Sequence, residues 1–407
     1  MPDSDLKRSV VEIFNRTLAT IDVERVVLNA LHREGNKLSI AKDTNDQTDV
    51  DLSAYENILL IGIGKAAPGM ARGLAALLGS DLTRGVVATS AVVGRPLQDN
   101  IRVILAGHPV PNEGSIEAAR VSLELLHEFD GPKTLVFFLI TGGGSSQFEL
   151  PVEPLTLSDL QRINHELVTS DKVISEINAE RRLISQVKGG RLAESAPQSH
   201  QISLYISDVN TGDLATIASG PTWPGPSGSL HRLLLDSSRA LEIASGIARS
   251  AGFEVEVAHD LVEGEIDEML AEHFKRLKVL GGYHPNSRVC LISGGEVICP
   301  VRGAGRGGRN QEFVLRALAE LSRMSGPQRV VLSAGTDGID GNSPAAGAVI
   351  DAIRDSSLDP ESYLSNSDSF GYFEKTGEAL ITGATGNNVR DIRIFAAAAL
   401  SNSQIQE

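Results

Sequence analysis

Glycine-rich loops that carry or adjoin cations are the features of this sequence with the clearest chemistry. The stretch GIGKAA at 62–67 contains Gly64 and Lys65, follows an apolar run and precedes an Ala- and Leu-rich segment. Glycines at such a turn let the backbone approach a phosphate, and the N-terminus of the following helix attracts negative charge. The loop therefore predicts a strand-to-helix turn, with or without a bound nucleotide.

Two nucleotide-binding motifs can be compared with this turn. A dinucleotide site needs an acidic residue at the end of the next strand, but the next strand-like run ends at Ser90 without a carboxylate. Arg95 could bind the 2′-phosphate of NADP, so the missing carboxylate makes NADP binding less favoured but does not exclude it. A P-loop requires Ser or Thr after its lysine, whereas Ala66 follows Lys65.

A second loop, TGGGSS at 141–146, follows the apolar run 135–140. Its glycines and serines present a series of N–H and hydroxyl donors, which suits phosphate or carboxylate oxygens. We predict that this loop binds an anion, and a flexible turn is the alternative. The residues concerned are Gly142, Gly143, Gly144, Ser145 and Ser146.

A third candidate is the basic stretch 177–193, which stands out in a chain with a formal net charge of −15. Positions 181, 188 and 191 can share one helix face, although Gly189-Gly190 can end the helix first. A solvated charged face is the alternative. The candidate binding residues here are Asn178, Arg181, Lys188 and Arg191.

Three aspartates are candidate ligands for Mg²⁺, an ion that often binds through one or two carboxylates plus phosphates. Asp208 ends the strand-like run 201–208, at the strand end where open α/β sheets place their ligands. Asp213 follows in a glycine-containing loop, and Asp337 lies in a glycine loop after another strand. Helix capping and ordinary turns are the alternatives.

The C-terminal part repeats the combination of glycine with cations. The stretch VRGAGRGGRNQEF at 301–313 begins with nine residues that hold three arginines and no acid. Arginine binds phosphate and carboxylate bidentately, so an anion clamp is predicted, with an exposed flexible loop as the alternative. The candidates are Arg306, Arg309, Asn310, Gln311 and Glu312, with Gly294 and Glu296 from the preceding turn SGGEV.

Bulk properties restrict the class of function. A chain of 407 residues is longer than most domains with a single hydrophobic core, so two domains are expected. The net charge of −15 speaks against nucleic acid or an anionic membrane as a partner. No signal-like or membrane-spanning run is evident, which predicts a cytoplasmic protein. Cys290 and Cys299 do not form a CxxC pair, which predicts buried thiols.

Apolar runs that alternate with helical patterns predict an α/β fold with a parallel, Rossmann-like sheet. A long helix is expected at 230–251, and the stretch GGYHPNS at 281–287 is the best boundary signal. We therefore predict a larger N-terminal α/β domain, 1–282, and a smaller C-terminal α/β domain, 283–407. Strands of the first domain are expected near 58–63, 85–89, 101–105, 135–140 and 201–208.

Cations and glycine loops in both halves of the chain, with carboxylates in neighbouring loops, favour phosphoryl transfer from a magnesium nucleotide. That chemistry depends mainly on positioning and charge stabilisation, whereas hydride transfer has no comparable need for arginines. Asp208 is the best candidate for either the catalytic base or an Mg²⁺ ligand.

Taken in order, these motifs resemble the glycerate 2-kinases whose C-terminal part is called the MOFRL domain. The resemblance implies ATP- and Mg²⁺-dependent phosphorylation of D-glycerate at its 2-hydroxyl, in a cleft between two α/β domains, with Lys65 and Arg309 as the leading active-site cations. Some relatives carry the label hydroxypyruvate reductase, which is the alternative activity. The shared motifs are GIGKAA, GHPVPNEGS, TGGGSS, KGGRLA, SDVNTGDLATIASGPT, SGGEV, GRGGRNQE, GTDGIDG and TGNNVRDIRI.

The sequence departs from the family pattern at four positions. Arg182 and Leu183 stand where relatives usually have Lys and His, Val297 replaces a common Thr, and Pro344 replaces a usual Asp. These positions lie in loops expected to bind ligands, so a related sugar acid stays open as the acceptor. A ligand-sensing protein that has lost turnover is a further alternative, and a homodimer is compatible with the resemblance.

Overall fold

The computed structural model describes residues 5–41, 46–90, 94–170, 172, 174–208, 213–351 and 357–400. Contacts between residues divide the chain into two units. The parallel-sheet unit comprises Asp22–Asp236, and the mixed-sheet unit comprises Met1–Ile21 together with Ser237–Glu407.

Helices and strands alternate along most of the chain. The helices are α1 (Asp5–Thr20), α2 (Val23–Ala30), α3 (Ala67–Leu78), α4 (Glu113–Phe129), α5 (Gly144–Gln147), α6 (Leu157–Val168), α7 (Ile174–Leu183), α8 (Arg191–Glu194), α9 (Ser237–Ser250), α10 (Ile266–Tyr283), α11 (Arg309–Arg323), α12 (Pro360–Ser365) and α13 (Ser369–Thr376). Within the described ranges, none of them is long and apolar enough to cross a membrane.

The strands form three sheets. They are β1 (Leu31–Glu34), β2 (Lys37–Ile40), β3 (Thr48–Asp51), β4 (Asn57–Ile63), β5 (Arg84–Thr89), β6 (Ile101–Leu105), β7 (Thr134–Thr141), β8 (His200–Ile206), β9 (Leu230–Leu235), β10 (Phe253–Ala258), β11 (Glu263–Glu265), β12 (Arg288–Ile298), β13 (Arg329–Gly335), β14 (Gly347–Ile350), β15 (Ala379–Leu380) and β16 (Asp391–Ala397). β1, β2 and β3 make a small antiparallel sheet that the sequence did not predict.

The main sheet of the parallel-sheet unit has the order β6-β5-β4-β7-β8-β9, and every neighbouring pair is parallel. Every residue of β7 is buried. Phe137 and Phe138 point to opposite faces of the sheet and both are fully buried, so both faces are covered. The predicted α/β class with a parallel sheet is confirmed.

The prediction of one long helix over 230–251 is wrong in its first part. Residues 230–235 form β9, which pairs in parallel with β8 at the edge of the sheet, and α9 begins at Ser237. The apolar residues of this stretch fit either period locally. Hydrogen bonding to the open edge of β8 decides in favour of the strand, which is a tertiary effect that no local pattern contains.

The mixed-sheet unit is built on strands in the order β10-β12-β16-β13-β14-β15, with β11 beside β12. Only β10 and β11 run parallel to β12, and the remaining pairs are antiparallel. Alternate residues of β12 enter two cores: Leu291 packs with α10 and α11, whereas the free thiol Cys290 packs with α1 and α9. Helices therefore cover both faces of this sheet.

The units divide at 21/22 and at 236/237, and the predicted boundary 282/283 lies inside the mixed-sheet unit. β10 pairs with β12 in the register Phe253↔Arg288, so the segment 237–282 supplies a strand to the same sheet as the C-terminal residues. The glycine- and proline-containing stretch 281–287 comprises the last residues of α10 and the connection to β12. Its composition marks a turn inside a unit.

Packing of α1 on the mixed sheet gives a testable prediction. Phe14 is fully buried among residues such as Leu241 and Ile292, so Phe14→Ala should lower the free energy of unfolding by about 3–5 kcal/mol. Hydrogen exchange should accelerate in β12 and β16.

The exposed Arg16 of the same helix provides the control, because Arg16→Ala should leave exchange unchanged. Unchanged protection of β12 in Phe14→Ala would contradict the packing of α1 on this sheet.

Candidate functional site

The parallel sheet places three of the predicted loops side by side. β4, β7 and β8 are neighbours, and their carboxyl ends lead into Lys65, the loop 142–144 and Asp208. One half of the sheet is built outward from β4 and the other outward from β7, so a topological switch point lies between them. Open α/β sheets bind ligands at this point. We call the region formed by Lys65, His108, loop 142–144 and Asp208 the switch-point edge.

Glycine at position 64 allows the first two loops to touch. Gly64 has φ +116°, and a Cβ atom there would lie 2.2 Å from Thr141 Oγ1 and 2.8 Å from the carbonyl oxygen of Gly142. The backbone N–H of Lys65 donates to that same carbonyl at 3.1 Å. Lys65 is therefore fixed against the glycine loop by its own main chain.

Asp208 lies against the same loop. A Cβ atom at Gly142 would come within 2.0 Å of Asp208 Oδ2, so the carboxylate packs directly on the glycine backbone. The structure thus brings together Lys65, Asp208 and the glycines, which the sequence selected separately.

His108 is a member of this edge that the sequence analysis did not select. It follows β6, and its Cδ2 lies 3.1 Å from the position of a Cβ atom at Gly143, while Lys65 Cγ lies 3.3 Å from the same point. Loss of hydration, and then the positive charge of Lys65, lower the pKa of His108 to about 4. The imidazole is therefore neutral at pH 7. Its position after a strand, within GHPVPNEGS, was the available signal.

The serines after the glycines connect to a second segment. Ser145 Oγ lies 2.9 Å from Ser219 Oγ, which donates to Asn178 Oδ1 at 3.0 Å. Asn178 is buried and also donates to the carbonyl oxygen of Thr216. Ser146 Oγ donates to the carbonyl oxygen of Gly143 at 3.3 Å. These groups hold the loop 142–146 and the segment 216–219 together.

The basic stretch does not form one helix face. α7 ends at Leu183 and α8 begins at Arg191. Lys188 lies between them, fully buried, and its Nζ donates to the buried carboxylate of Glu149 and to the carbonyl oxygen of Phe148. Burial lowers the pKa of Lys188 despite the charge of Glu149. Its charge is already neutralised by a partner 39 residues away in sequence.

The arginines of this stretch mainly organise backbone. The guanidinium of Arg191 donates to the carbonyl oxygens of Arg182 and Ser185. Arg182 Nη2 donates to the carbonyl oxygen of Ala215 at 2.6 Å. Arg181 Nη2 donates to Asn164 Oδ1, and burial lowers its pKa.

The other departures from the family pattern occupy different environments. Leu183 is 73% exposed at the end of α7, and Pro344 is exposed in a loop. Val297 is buried on β12 and belongs to a hydrophobic core.

Asp213 is engaged as a capping residue. Its Oδ1 accepts from the backbone N–H of Ala215 at 3.0 Å, and its Oδ2 accepts from Thr216 Oγ1 at 2.8 Å. No group of three or more His, Cys, Asp or Glu side chains in the described ranges is arranged to hold a metal ion. At the switch-point edge as described, Mg²⁺ would bind to Asp208 with phosphate oxygens and water as its other ligands, a common arrangement for this ion.

In the mixed-sheet unit, Arg309 begins α11 and is held by two carboxylates. Its Nε and Nη2 donate to Asp391 at 2.6 and 3.0 Å, and Nη2 lies 3.1 Å from Glu296 Oε1. Burial alone would lower the pKa of Arg309, but the hydrogen bonds and charge of Asp391 raise it above its usual value. A Cβ atom at Gly294 would lie 2.9 Å from Ser237 Oγ and 3.3 Å from the carbonyl oxygen of Asp391.

The N-terminus of α11 is closed by Asp340, which lies with Asp337 in the glycine loop after β13. Its buried carboxylate accepts from the backbone N–H groups of Asn310 and Gln311 at 3.1 and 2.9 Å, and from Gln311 Nε2 at 2.9 Å. Loss of hydration raises the pKa of Asp340 to about 6. Asn310 and Gln311 are thus anchored directly after the loop 301–308, which contains Arg302 and Arg306 and is called the arginine loop below.

Each arginine of the predicted clamp has a carboxylate partner. Besides the pairs of Arg309, Arg302 Nη1 lies 3.6 Å from Glu312 Oε1, and Arg306 Nη2 lies 2.9 Å from Glu374 Oε2. An anion that binds here would compete with these carboxylates. The sequence did not reveal the pairs with Asp391 and Glu374, because these acids lie 82 and 68 residues from their arginines.

A cavity of 480 Å³ lies beside Arg309 within the mixed-sheet unit. Its wall includes Glu312 and Asp337, together with the glycines of the arginine loop. Asp337 Oδ1 accepts from the backbone N–H of Ile339 at 3.1 Å, which stabilises a turn. The volume is of the size that small ligands occupy.

Two family models match the chain. One is described as a domain of unknown function (DUF4147) and matches residues 9–244, and the other, the MOFRL family, matches residues 289–391. The D-glycerate 2-kinase of Thermotoga maritima is 34% identical over 97% of this chain and 98% of that protein. This chain belongs to the glycerate 2-kinase family with a MOFRL domain. The resemblance seen in the motifs is confirmed.

Other relatives extend the comparison. The glycerate 2-kinase of Pyrococcus horikoshii is 31% identical over 96% of this chain and 97% of that protein. A protein of Agrobacterium vitis with the provisional name hydroxypyruvate reductase is 35% identical over 82% of this chain and 98% of its own length. The crystal structure of T. maritima glycerate kinase matches with a TM-score of 0.82 at 31% identity, over 97% of this chain and 99% of that one.

The buried pair Lys188–Glu149 can be tested as a structural element. Glu149→Gln leaves the ammonium buried without a counter-charge and should lower the free energy of unfolding by about 3–5 kcal/mol. Urea unfolding followed by the fluorescence of Trp223, the single tryptophan, measures it. The double variant Lys188→Met/Glu149→Leu should recover most of the loss.

The exposed pair Arg84–Glu128 is the matched control, since Glu128→Gln should cost at most about 1 kcal/mol. Equal effects of Glu149→Gln and Glu128→Gln would show that Lys188 does not depend on Glu149.

The low pKa of His108 can be measured by NMR titration of its ring resonances, assigned with His108→Asn. We expect a pKa near 4, and in Lys65→Met a rise that stops short of about 6.5, because removing the charge leaves the desolvation in place. Lys133→Met, at an exposed lysine of the same unit, should have no effect. A wild-type pKa near 6.5 would contradict the described environment of His108.

Proposed function

We propose that this chain is a kinase that transfers the γ-phosphoryl group of ATP, with Mg²⁺, to the 2-hydroxyl of D-glycerate and yields 2-phosphoglycerate. The observation that carries the proposal is full-length similarity to proteins named glycerate 2-kinase, 34% identical over 97% of this chain in one case. The switch-point edge supports it, because a lysine, a glycine loop and a carboxylate meet there.

Lys65 and the loop 142–144 are assigned to the transferring phosphate. The lysine supplies positive charge and the glycine backbone supplies N–H donors, and both stabilise negative charge on the phosphoryl oxygens. Since the main chain of Lys65 is bonded to Gly142, charge and donors are positioned as one body. Asp208 is the residue assigned to hold Mg²⁺, which neutralises phosphate charge when bound.

His108 is assigned as the acceptor of the hydroxyl proton. Its neutral imidazole has a lone pair available at pH 7, and it lies beside Lys65 across Gly143. A pKa of about 4 resembles that of the aspartate that accepts this proton in protein kinases. In this step the substrate oxygen forms its bond to phosphorus, the bond from phosphorus to ADP breaks, and the proton passes to the imidazole.

Hydroxypyruvate reduction is the second candidate, favoured by the name of the A. vitis relative. The end of β5 speaks against it. Ser90, where a dinucleotide site usually has a carboxylate, exchanges hydrogen bonds of 3.1 and 3.0 Å with Gln147. Arg95, the candidate for a 2′-phosphate, pairs with Glu24. At the end of β5, a ribose would therefore meet the uncharged, mutually hydrogen-bonded pair Ser90–Gln147 in place of a carboxylate.

The kinase proposal is tested by incubating the purified chain with ATP, Mg²⁺ and a panel of small hydroxy acids that includes D-glycerate. ADP release gives the rate, and phosphorus NMR identifies the phosphorylated hydroxyl. Lys65→Ala and Arg309→Ala should each lower kcat by about 100-fold or more. Lys133→Ala should not change it, because this exposed lysine pairs with Glu56.

His108→Asn should lower kcat while leaving the KM for ATP unchanged, and the acid limb of the wild-type pH profile should lie near pH 4. Absence of an ATP-dependent product with every acid would overturn the kinase proposal. Oxidation of NADPH with hydroxypyruvate would favour the reductase, and ATP binding without product would favour a ligand sensor.

A further inference from the structure

A groove on the mixed-sheet unit collects positive charge. It has a volume of 1060 Å³ and is lined by α10, α11 and α12. The chain as a whole carries a net charge of −15, yet six cations face three carboxylates in this groove. The cations are Lys275, Lys278, Arg302, Arg316, Arg323 and Arg329.

Two of these cations have no carboxylate partner among the described residues. Lys278 is exposed on α10 and forms no ion pair there. Arg329 is half-buried, and its Nη1 donates to the carbonyl oxygen of Ser325 at 3.1 Å. Burial lowers the pKa of Arg329, as expected for a guanidinium without a compensating negative charge. An anion in the groove would supply that charge.

The wall of the groove also contains apolar surface. Leu270, Phe274 and Leu364 line it from the hydrophobic core, and Met324 lines it from the end of α11. The volume exceeds what inorganic phosphate needs and suits a small organic molecule. Cations beside apolar side chains fit a ligand with a charged group and an apolar group.

Glu312 links the groove to the cavity beside Arg309. Its Oε1 accepts from Arg316 Nη2 at 2.8 Å and lies 3.6 Å from Arg302 Nη1, and both arginines line the groove. Glu312 itself lines the 480 Å³ cavity. A ligand that draws these arginines toward the groove therefore removes positive charge from Glu312.

We propose that this groove binds a phosphate monoester with an apolar organic group, and that its occupancy is coupled through Glu312 to the cavity beside Arg309. A phosphate monoester is mostly dianionic at pH 7.5, and arginine binds such oxygens through parallel hydrogen bonds. Because binding free energies are reciprocal, a ligand in the cavity changes the affinity of the groove by the same factor. The inference does not depend on kinase activity.

Calorimetric titration with phenyl phosphate and with inorganic phosphate tests the site. The Lys65→Ala chain is used, so that phosphate binding beside Lys65 contributes little. Phenyl phosphate should bind more tightly than inorganic phosphate, and hydrogen exchange should slow in α10 and in the second half of α11. The double variant Lys278→Gln/Arg329→Gln should bind phenyl phosphate at least about tenfold more weakly.

Arg249→Gln is the matched control, because Arg249 is exposed on α9, whose buried side packs in the core on the opposite face of the sheet. Arg249→Gln should bind phenyl phosphate with the same affinity as the parent chain. The midpoints of urea unfolding of all variants verify that they are folded. Unchanged affinity in Lys278→Gln/Arg329→Gln, or protection confined to other elements, would overturn the site.

Glu312→Gln tests the coupling with a substitution of the same shape. Removing the competing carboxylate releases Arg302 and leaves Arg316 paired only with the exposed Asp267 among the described residues, so phenyl phosphate should bind severalfold more tightly. Glu374→Gln, which releases Arg306 outside the groove, is its control. Equal affinities for Glu312→Gln and Glu374→Gln would overturn the coupling.

Discussion

The close backbone approach at Gly64 and Gly142 is the constraint on which the switch-point edge depends. With any side chain at Gly64, the turn after β4 could not rest on the end of β7, and Lys65 would lose its bond to Gly142. Asp208 packs on Gly142, and His108 and Lys65 flank Gly143. Four segments that are distant in sequence therefore meet, because glycine has only a hydrogen atom where a side chain would keep the backbones apart.

The mixed-sheet unit positions charge by a different means. Arg309 is held between Asp391 and Glu296, while Asp340 fixes the start of α11 through backbone hydrogen bonds. Bidentate pairing restrains a long side chain in one orientation. In the parallel-sheet unit, hydrogen bonding to the glycine backbone positions Lys65. In the mixed-sheet unit, carboxylates orient the guanidinium of Arg309.

Much of the parallel sheet could be predicted from sequence because its strands are apolar on both faces and short loops follow them. The candidate glycines and Asp208 were found for the same reason, since each directly follows a strand. Lys188 and Arg309 are different. Glu149 lies 39 residues from Lys188, and Asp391 lies 82 residues from Arg309. The local sequence therefore suggested unpaired cations, whereas the fold pairs each of them with a carboxylate. β9 was missed because the edge of β8, and not local periodicity, decides it.

The packing of α1 has a consequence for synthesis of the protein. α1 is synthesised before β16, which ends at Ala397, yet the two elements pack against each other. At about 5–20 residues per second, the roughly 370 residues in between take roughly 20 to 75 seconds to make. The parallel-sheet unit is continuous and can fold during that interval, whereas the apolar face of α1 has no sheet to cover it. The apolar face of α1 therefore stays uncovered until the C-terminal strands of the mixed sheet have been synthesised.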